Sequence, residues 1–299
     1  ILDKANDTLV VRYFELRTII DANHNATSSV VEFGREIPNK TRNRAVYVND
    51  RVSRCQGCIF ISHSNYCDEN NCVKVFNKEY SKADILNEAL NQARVEELPI
   101  NVPKIKEVTM IDGKWAIITE YIKGYTLLQL MEKYPEKKDQ YLEQFVDIQL
   151  ATQKNTCPLL TKLKDKMNRK INMADIASTT KYDLHTRLES MPKGNSLCHG
   201  DFNPSNIIIS EDNKPYIIDW SHATQGNPCA DAARTYLLFW LSGDITGAEK
   251  YLDLYAKKGN VTKKDIQKWL PIVAASQSVK GNEKEREFLL SWVNVVDYE

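Results

Sequence analysis

The sequence of 299 residues lacks any long apolar run and any excess of one charge. Its densest apolar stretch, residues 236–241, is far shorter than the roughly 18 residues that a membrane-spanning helix requires. Lysine plus arginine and aspartate plus glutamate both number 40, so no bulk charge favours nucleic acid or an anionic membrane. The first residues also lack a charged-then-apolar signal segment. We therefore expect a cytoplasmic protein with no membrane and no nucleic acid as its partner.

Cysteine is also sparse, and an odd total of 7 in a chain of this length argues against a disulfide scaffold. Four of the cysteines, Cys55, Cys58, Cys67 and Cys72, form the pattern C-x2-C-x8-C-x4-C. Four thiolates at such spacings could bind Zn²⁺. Alternatively, Cys58 and Cys72 begin apolar runs, where cysteine packs as a small hydrophobic residue. Both readings stay open, so these cysteines are not counted as site residues.

The predicted secondary structure of the chain changes after residue 124. Before it, short runs rich in Val, Ile, Phe and Tyr alternate with turn signals, around one helical pattern at residues 82–95. After it, helical periodicity dominates, as at residues 127–134 and 139–153, and a β-rich segment at residues 196–219 interrupts it.

These patterns predict an α+β chain of two lobes. Residues 1–119 form a β-rich lobe, residues 120–124 a connector, and residues 125–299 a mostly helical lobe. Ligands favour the cleft between two such lobes, so we expect the functional site there.

One polar loop and the hairpin after it carry the chemistry. The loop reads His199-Gly200-Asp201-Phe202-Asn203-Pro204-Ser205-Asn206, and the hairpin ends in Ile217-Ile218-Asp219-Trp220. Asp201 and Asn206 share the loop, and a tight hairpin can return Asp219 to the same end of the sheet. Oxygen donors of this kind hold Mg²⁺ against phosphates, while a carboxylate beside a hydroxyl can receive its proton.

The string His-Gly-Asp-x4-Asn, followed by Ile-Ile-Asp-Trp, resembles the phosphotransferase family of aminoglycoside phosphotransferases and choline kinases. The resemblance implies a bilobal protein-kinase-like fold. It also implies that Asp201 is the catalytic base, that Asn206 and Asp219 bind Mg²⁺, and that His199 braces the loop. The implied reaction transfers the γ-phosphoryl group of ATP, or of GTP, to a hydroxyl of a small molecule.

The first lobe should then supply a lysine and a glutamate that bind the nucleotide. Lys74 lies among apolar neighbours in a predicted strand, where an unpaired ammonium would be costly, and Glu88 lies on the predicted helix. An ion pair between them would orient Lys74 towards the phosphates. The alternative is an edge-strand lysine and a solvated glutamate. In the connector, the resemblance implies that the backbones of Glu120 and Ile122 meet the adenine ring.

Asp231 resembles a family position that steadies the catalytic loop, although an aspartate in the first turn of a helix has the same sequence signature. The first candidate for the acceptor is a cationic molecule such as an aminoglycoside; choline, ethanolamine or a sugar remains open. A protein kinase is disfavoured because the chain lacks a GxGxxG loop and an Asp-Phe-Gly motif. A nucleotide-binding pseudokinase scaffold is disfavoured because the motif residues are all retained. The sequence indicates no oligomeric state.

Overall fold

The computed structural model describes residues 2–3, 8–20, 26–38, 63–67, 70–279 and 283–293. The chain forms two compact units, residues 1–53 and 54–299. In the first unit, β1 (Leu2–Asp3), β2 (Thr8–Ile20) and β3 (Ala26–Pro38) form an antiparallel sheet in the order β1-β2-β3. The predicted lobes at residues 1–119 and 125–299 stay a prediction.

The second unit begins with a four-stranded antiparallel sheet and one helix. The elements are β4 (His63–Cys67), β5 (Asn71–Phe76), α1 (Lys82–Glu96), β6 (Ile105–Ile111) and β7 (Lys114–Glu120). The strands lie in the order β4-β5-β7-β6. Helix α1 packs on the sheet through Ile85 and Ala89, which join Phe76 and Ile117 in a small core. This arrangement puts Lys74 of β5 and Glu88 of α1 on facing surfaces.

The rest of the second unit is mostly helical. Its helices are α2 (Leu127–Lys133), α3 (Lys138–Gln153), α4 (Leu163–Met173), α5 (Ser178–Ser190), α6 (Pro228–Leu241), α7 (Ile245–Gly259), α8 (Lys263–Gln267), α9 (Leu270–Gln277) and α10 (Glu283–Ser291). The larger core lies among them. The ring of Phe145 lies 5.0 Å from that of Phe202 and 5.9 Å from that of Tyr251, so the polar loop is anchored in this core.

Local sequence signals set several helix boundaries. Helix α2 begins with a capping box. The hydroxyl of Thr126 accepts from the backbone N–H of Gln129, and Oε1 of Gln129 accepts from the backbone N–H of Thr126. Helix α6 begins with Asn227 as its N-cap and Pro228 in its first turn. Helix α7 ends at Asn260, whose φ of 53° lies in the left-handed region.

Five short strands interrupt the helices. They are β8 (Gly124–Thr126), β9 (Ser196–Cys198), β10 (Ile207–Ser210), β11 (Pro215–Ile217) and, after the hairpin, a fifth, β12 (Thr224–Gly226). Strands β10 and β11 form the predicted hairpin, with Ile207 opposite Ile217. Strand β10 also pairs with β8, and β9 pairs with β12. The polar loop therefore runs from the end of β9 to the start of β10.

Among the described helices, none combines the length and the apolar character needed to cross a membrane.

We expect Gly124→Ala to destabilise the protein. The backbone of β8 approaches β10 so closely at Gly124 that an added Cβ would collide with the carbonyl oxygen of Ile209. Overpacking of this kind costs about 1–3 kcal/mol, which urea unfolding would measure. Gly259→Ala is the control, because there the nearest group is the flexible side-chain end of Leu150 at 3.3 Å. Equal unfolding free energies for the two variants would contradict the expectation.

Candidate active site

His199 is the buried brace of the polar loop. Its Nε2 lies 3.0 Å from the carbonyl oxygen of Ile218, and the backbone N–H of Asp201 lies 3.2 Å from its Nδ1. Since Nδ1 accepts, the ring carries its proton on Nε2 and donates it to Ile218. The ring also lies 4.6 Å from that of Trp220. His199 thus joins the start of the loop to the end of the hairpin, as the resemblance implies.

Three side chains hold the carboxylate of Asp201. Asn203 and Asn206 donate from their Nδ2 atoms to Oδ2 of Asp201, over 3.3 Å and 3.2 Å. Arg234 of α6 donates from Nη2 to Oδ1 over 3.3 Å. Only 18% of the Asp201 side chain is exposed, so its orientation is restricted, yet it remains open enough to meet a ligand.

Asn206 is oriented so that its oxygen points away from Asp201. Its Nδ2 donates to the backbone oxygen of Asp201 over 2.9 Å as well as to Oδ2, which fixes the amide. Oδ1 of Asn206 is buried and has no hydrogen-bond donor among the described residues. A buried amide oxygen without a partner is costly, so this atom is suited to a ligand that supplies positive charge.

Asp219 lies directly after the hairpin and next to the loop. Its φ of 62° places it in the left-handed region, and the N–H of the preceding Ile218 donates to the backbone oxygen of Asn206 over 3.0 Å. Burial would raise the pKa of Asp219, but the charge of Lys74 and a hydrogen bond with Ser221 outweigh it and hold that pKa well below its usual range. Asp219 is therefore an anion, and its Oδ1 has no hydrogen-bond donor among the described residues.

Lys74 lies between two carboxylates. Its Nζ lies 2.6 Å from Oε1 of Glu88 and 3.6 Å from Oδ1 of Asp219. Burial would lower the pKa of Lys74, but the charges of Asp219 and Glu88 outweigh it and raise that pKa above its ordinary value. The ammonium is therefore charged and held at one place. The predicted pair of Lys74 and Glu88 is present, and it leads directly to Asp219.

The arrangement fits a divalent cation with hard oxygen ligands. Oδ1 of Asn206 and Oδ1 of Asp219 are both buried without a hydrogen-bond donor, and backbone hydrogen bonding links their segments. Within the described ranges no group of three His, Cys, Asp or Glu side chains could hold a metal alone. Mg²⁺ commonly takes one or two protein ligands and completes its shell with waters and phosphate oxygens, so two donors suffice.

The predicted connector residues lie at and just beyond the end of β7. The N–H of Glu120 donates to the carbonyl oxygen of Lys104 over 2.8 Å, so of its backbone groups only the carbonyl could meet a base. Ile122 is buried, and no hydrogen bond to its backbone is found within residues 70–279. Whether either backbone contacts adenine stays a prediction.

A buried network holds the start of the loop. Oδ1 of Asp231 accepts from the N–H of Gly200 over 2.7 Å, and Oδ2 accepts from Nε2 of Gln153 over 3.0 Å. Tyr255 donates to Oε1 of Gln153 over 2.6 Å, so Gln153 itself is fixed. Gly200 has a φ of 80°, and a Cβ there would lie 2.7 Å from the carbonyl oxygen of His222, so a larger residue cannot replace it.

The sequence model of the phosphotransferase enzyme family (APH) matches residues 35–260, which include the loop, Asp219 and Lys74. The chain belongs to this family. Membership confirms the prediction of a phosphotransferase and the resemblance on which it depended. A search of curated proteins found no match.

Solved structures of phosphotransferases share the fold. Aminoglycoside phosphotransferase APH(4)-Ia is 14% identical with a TM-score of 0.60, and the match covers 79% of this chain and 90% of that one. Choline kinase LicA from Streptococcus pneumoniae is 14% identical with a TM-score of 0.56, covering 79% and 89%. A choline/ethanolamine kinase family protein from Mesorhizobium loti is 12% identical with a TM-score of 0.54, covering 82% and 87%. These likenesses confirm the protein-kinase-like fold.

Several residues of the phosphotransferase site were not predicted. Asn203 is part of the motif string, but nothing in its spacing indicated that it would donate to Asp201. Arg234 follows Asp231 by three residues, which places both on one face of a helix and could have suggested a joint role. Gln149 and Gln153 interrupt an apolar helical face, and polar residues at such positions signal a buried hydrogen-bond network.

Two of the four patterned cysteines lie in the part of the chain that the structure describes. Cys67 and Cys72 lie opposite each other in β4 and β5, with their sulfur atoms 3.2 Å apart. Cys55 and Cys58 lie outside the described residues, as does most of the segment before β4. The zinc reading therefore stays open.

We expect Asp231→Asn to destabilise the phosphotransferase. One acceptor oxygen becomes an NH₂ group, which must face a donor from Gly200 or Gln153, and an unsatisfied buried donor costs about 1–3 kcal/mol. Urea unfolding measures the loss. Adding Gln153→Glu should recover part of it, because the new carboxylate accepts from the NH₂ group. No loss in the single variant, or no recovery in the double variant, would count against this network.

Proposed function

We propose that this phosphotransferase transfers the γ-phosphoryl group of ATP to a hydroxyl of a small molecule, with Mg²⁺ as cofactor. One observation carries the proposal: Asn206 and Asp219 each have a buried Oδ1 without a hydrogen-bond donor among the described residues. Asp219 lies beside the Lys74 ammonium, Asn206 lies in the loop of Asp201, and a backbone hydrogen bond links the two segments. Phosphoryl transfer requires little covalent chemistry from a protein and mainly needs positioned charge.

Lys74 is proposed to bind the nucleotide phosphates. Its ammonium is charged, mostly buried and held by Glu88, so it can meet a phosphate without first being ordered. Nucleotide binding is also supported by the relative APH(4)-Ia, a mutant of which forms a ternary complex with AMP-PNP and hygromycin B. The backbones of Glu120 and Ile122 are proposed to contact the base. GTP in place of ATP is the alternative.

Asn206 and Asp219 are proposed to hold Mg²⁺. When bound, the ion supplies neutralisation of charge on the nucleotide phosphates. The carboxylate of Asp219 contributes the anionic ligand, because its low pKa keeps it ionised. Asn206 contributes a neutral oxygen whose direction is fixed by the hydrogen bonds from its own Nδ2.

Asp201 is proposed to be the catalytic base. It accepts the proton of the acceptor hydroxyl as the oxygen attacks the γ-phosphorus, and the bond from that phosphorus to the leaving oxygen of the nucleotide diphosphate breaks. Its three hydrogen bonds hold the carboxylate in one orientation. A cationic acceptor such as an aminoglycoside is the first candidate, since relatives include an enzyme crystallised with hygromycin B and a choline kinase.

A screen tests the function directly. The full chain is incubated with Mg²⁺ and γ-labelled ATP in the presence of aminoglycosides, choline, ethanolamine and sugars. Label that moves to an acceptor, in a manner dependent on its hydroxyl, supports the proposal. Nucleotide binding without transfer to any acceptor would favour the pseudokinase scaffold.

We expect Asp201→Asn to lower the turnover number by about 10²–10⁴-fold, because the base acts only in the transfer step. Nucleotide affinity should remain within a few-fold of wild type, measured by titration calorimetry. Asp212→Asn is the control, since Asp212 is an exposed hairpin residue paired with Lys214. Unchanged turnover in the Asp201 variant would show that Asp201 is not the catalytic base.

We expect Asp219→Ala to abolish the part of the nucleotide affinity that depends on Mg²⁺. The loss should be at least about tenfold in the presence of Mg²⁺ and much smaller with a chelator, because the variant removes the anionic ligand. Nucleotide titrations at several Mg²⁺ concentrations measure both values. An equal loss with and without Mg²⁺ would show that Asp219 acts on the nucleotide through Lys74 instead.

A further inference from the structure

We propose that Arg234 is a positioning residue for the phosphotransfer: it holds Asp201 so that Oδ1 is the oxygen that accepts the hydroxyl proton. The inference rests on the proposed function, in which Asp201 is the base. Arg234 lies on helix α6, outside the His-Gly-Asp-x4-Asn string and the Ile-Ile-Asp-Trp segment.

The two carboxylate oxygens of Asp201 differ in how many of their acceptor positions are filled. Each carboxylate oxygen offers about two acceptor positions. Oδ2 receives two donors, the Nδ2 atoms of Asn203 and Asn206, so its positions are filled. Oδ1 receives one donor, Nη2 of Arg234. Of the two oxygens, Oδ1 therefore keeps an open position for a hydroxyl, and Arg234 is the group that defines its direction.

The guanidinium of Arg234 is buried and only partly hydrogen-bonded. Arg234 is only 14% exposed on its side chain, and its Nε and Nη1 are buried without a hydrogen-bond partner among the described residues. An arginine whose purpose is to fix the fold normally has its buried donors satisfied. Its Nη2 donates to the carboxylate proposed as the base, and the charges of Glu285 and Asp231 also act on the guanidinium.

Side chains of helix α6 contact the polar loop. Asp231 and Arg234 lie three residues apart and so share a face of the helix. Asp231 holds the backbone N–H of Gly200, and Arg234 holds the side chain of Asp201. The helix thus fixes both the backbone and the side chain of the loop, which is how a catalytic group is kept in one orientation before its substrate arrives.

The experiment compares Arg234→Met, Arg234→Lys and Arg234→Ala with wild type. Turnover of MgATP is measured with hygromycin B, choline and glycerol as pooled hydroxyl acceptors and with water alone as the baseline. We expect Arg234→Met to lower the turnover number by about 10²-fold while the nucleotide dissociation constant changes by less than about threefold. Arg234→Lys should keep an intermediate rate, and added guanidinium should restore Arg234→Ala by about tenfold or more.

Arg187→Met is the matched control, because Arg187 pairs with Asp183 on the surface of α5 and should keep full turnover. A merely structural role for Arg234 would lower stability and nucleotide affinity together and would not be rescued by guanidinium. That result, or turnover of Arg234→Met within about threefold of wild type, overturns the proposal.

A failure of the proposed function can be told apart from a failure of this inference. The proposed function fails if Asp201→Asn keeps wild-type turnover or if the wild type transfers phosphate to no acceptor. In that case the melting temperatures of the variants still test whether Arg234 pairs with Asp201. Arg234→Met and Asp201→Asn should then lower the melting temperature by less together than the sum of their separate effects. Additive shifts would overturn the pairing of Arg234 with Asp201.

Discussion

The site depends on one buried carboxylate. Asp231 is 3% exposed, and it accepts from the backbone of Gly200 at the point where the loop turns through a positive φ. Without a fixed acceptor at this point the turn would have a buried, unpaired N–H, and the chain before Asp201 could adopt other conformations. The amide of Gln153, fixed in turn by Tyr255, makes the buried charge tolerable. The direction of the polar loop is thus set by the helical core.

Much of the site could be predicted from sequence because its parts are local. Asp201 and Asn206 share one loop, and the hairpin that returns Asp219 is short, so their proximity needs only turn geometry. Lys74 and Glu88 were predictable for another reason: an ammonium among apolar strand residues requires a carboxylate, and the next helix offers one. The contact of Lys74 with Asp219 joins elements far apart in the chain, and no pattern in the sequence indicated it.

Which face of a helix is buried could not be predicted, because one helical spacing of apolar residues is compatible with more than one buried face. The helical spacing at residues 82–95 includes Leu86 and Leu90, yet these are 42% and 48% exposed, while Glu88 and Gln92 face inward. Hydrophobic periodicity identified the helix correctly but not its buried face, since the face is set by the need to pair Lys74 and to satisfy the carbonyl of Pro103. A polar residue facing inward is visible only when its partner is known.

The charged and donor-free groups of the site carry an energetic cost in the protein without a nucleotide. Lys74 carries one positive charge between the two negative charges of Glu88 and Asp219, so this cluster has a net negative charge. In addition, Oδ1 of Asn206 has no hydrogen-bond donor among the described residues, and Oδ1 of Asp219 faces the Lys74 ammonium at 3.6 Å, beyond hydrogen-bond distance. Both features are costly in the free protein, and the divalent cation proposed above would relieve both by neutralising charge and coordinating the oxygens. The protein therefore holds these oxygens in place at an energetic cost, which binding of the proposed metal–nucleotide complex would offset without requiring new order.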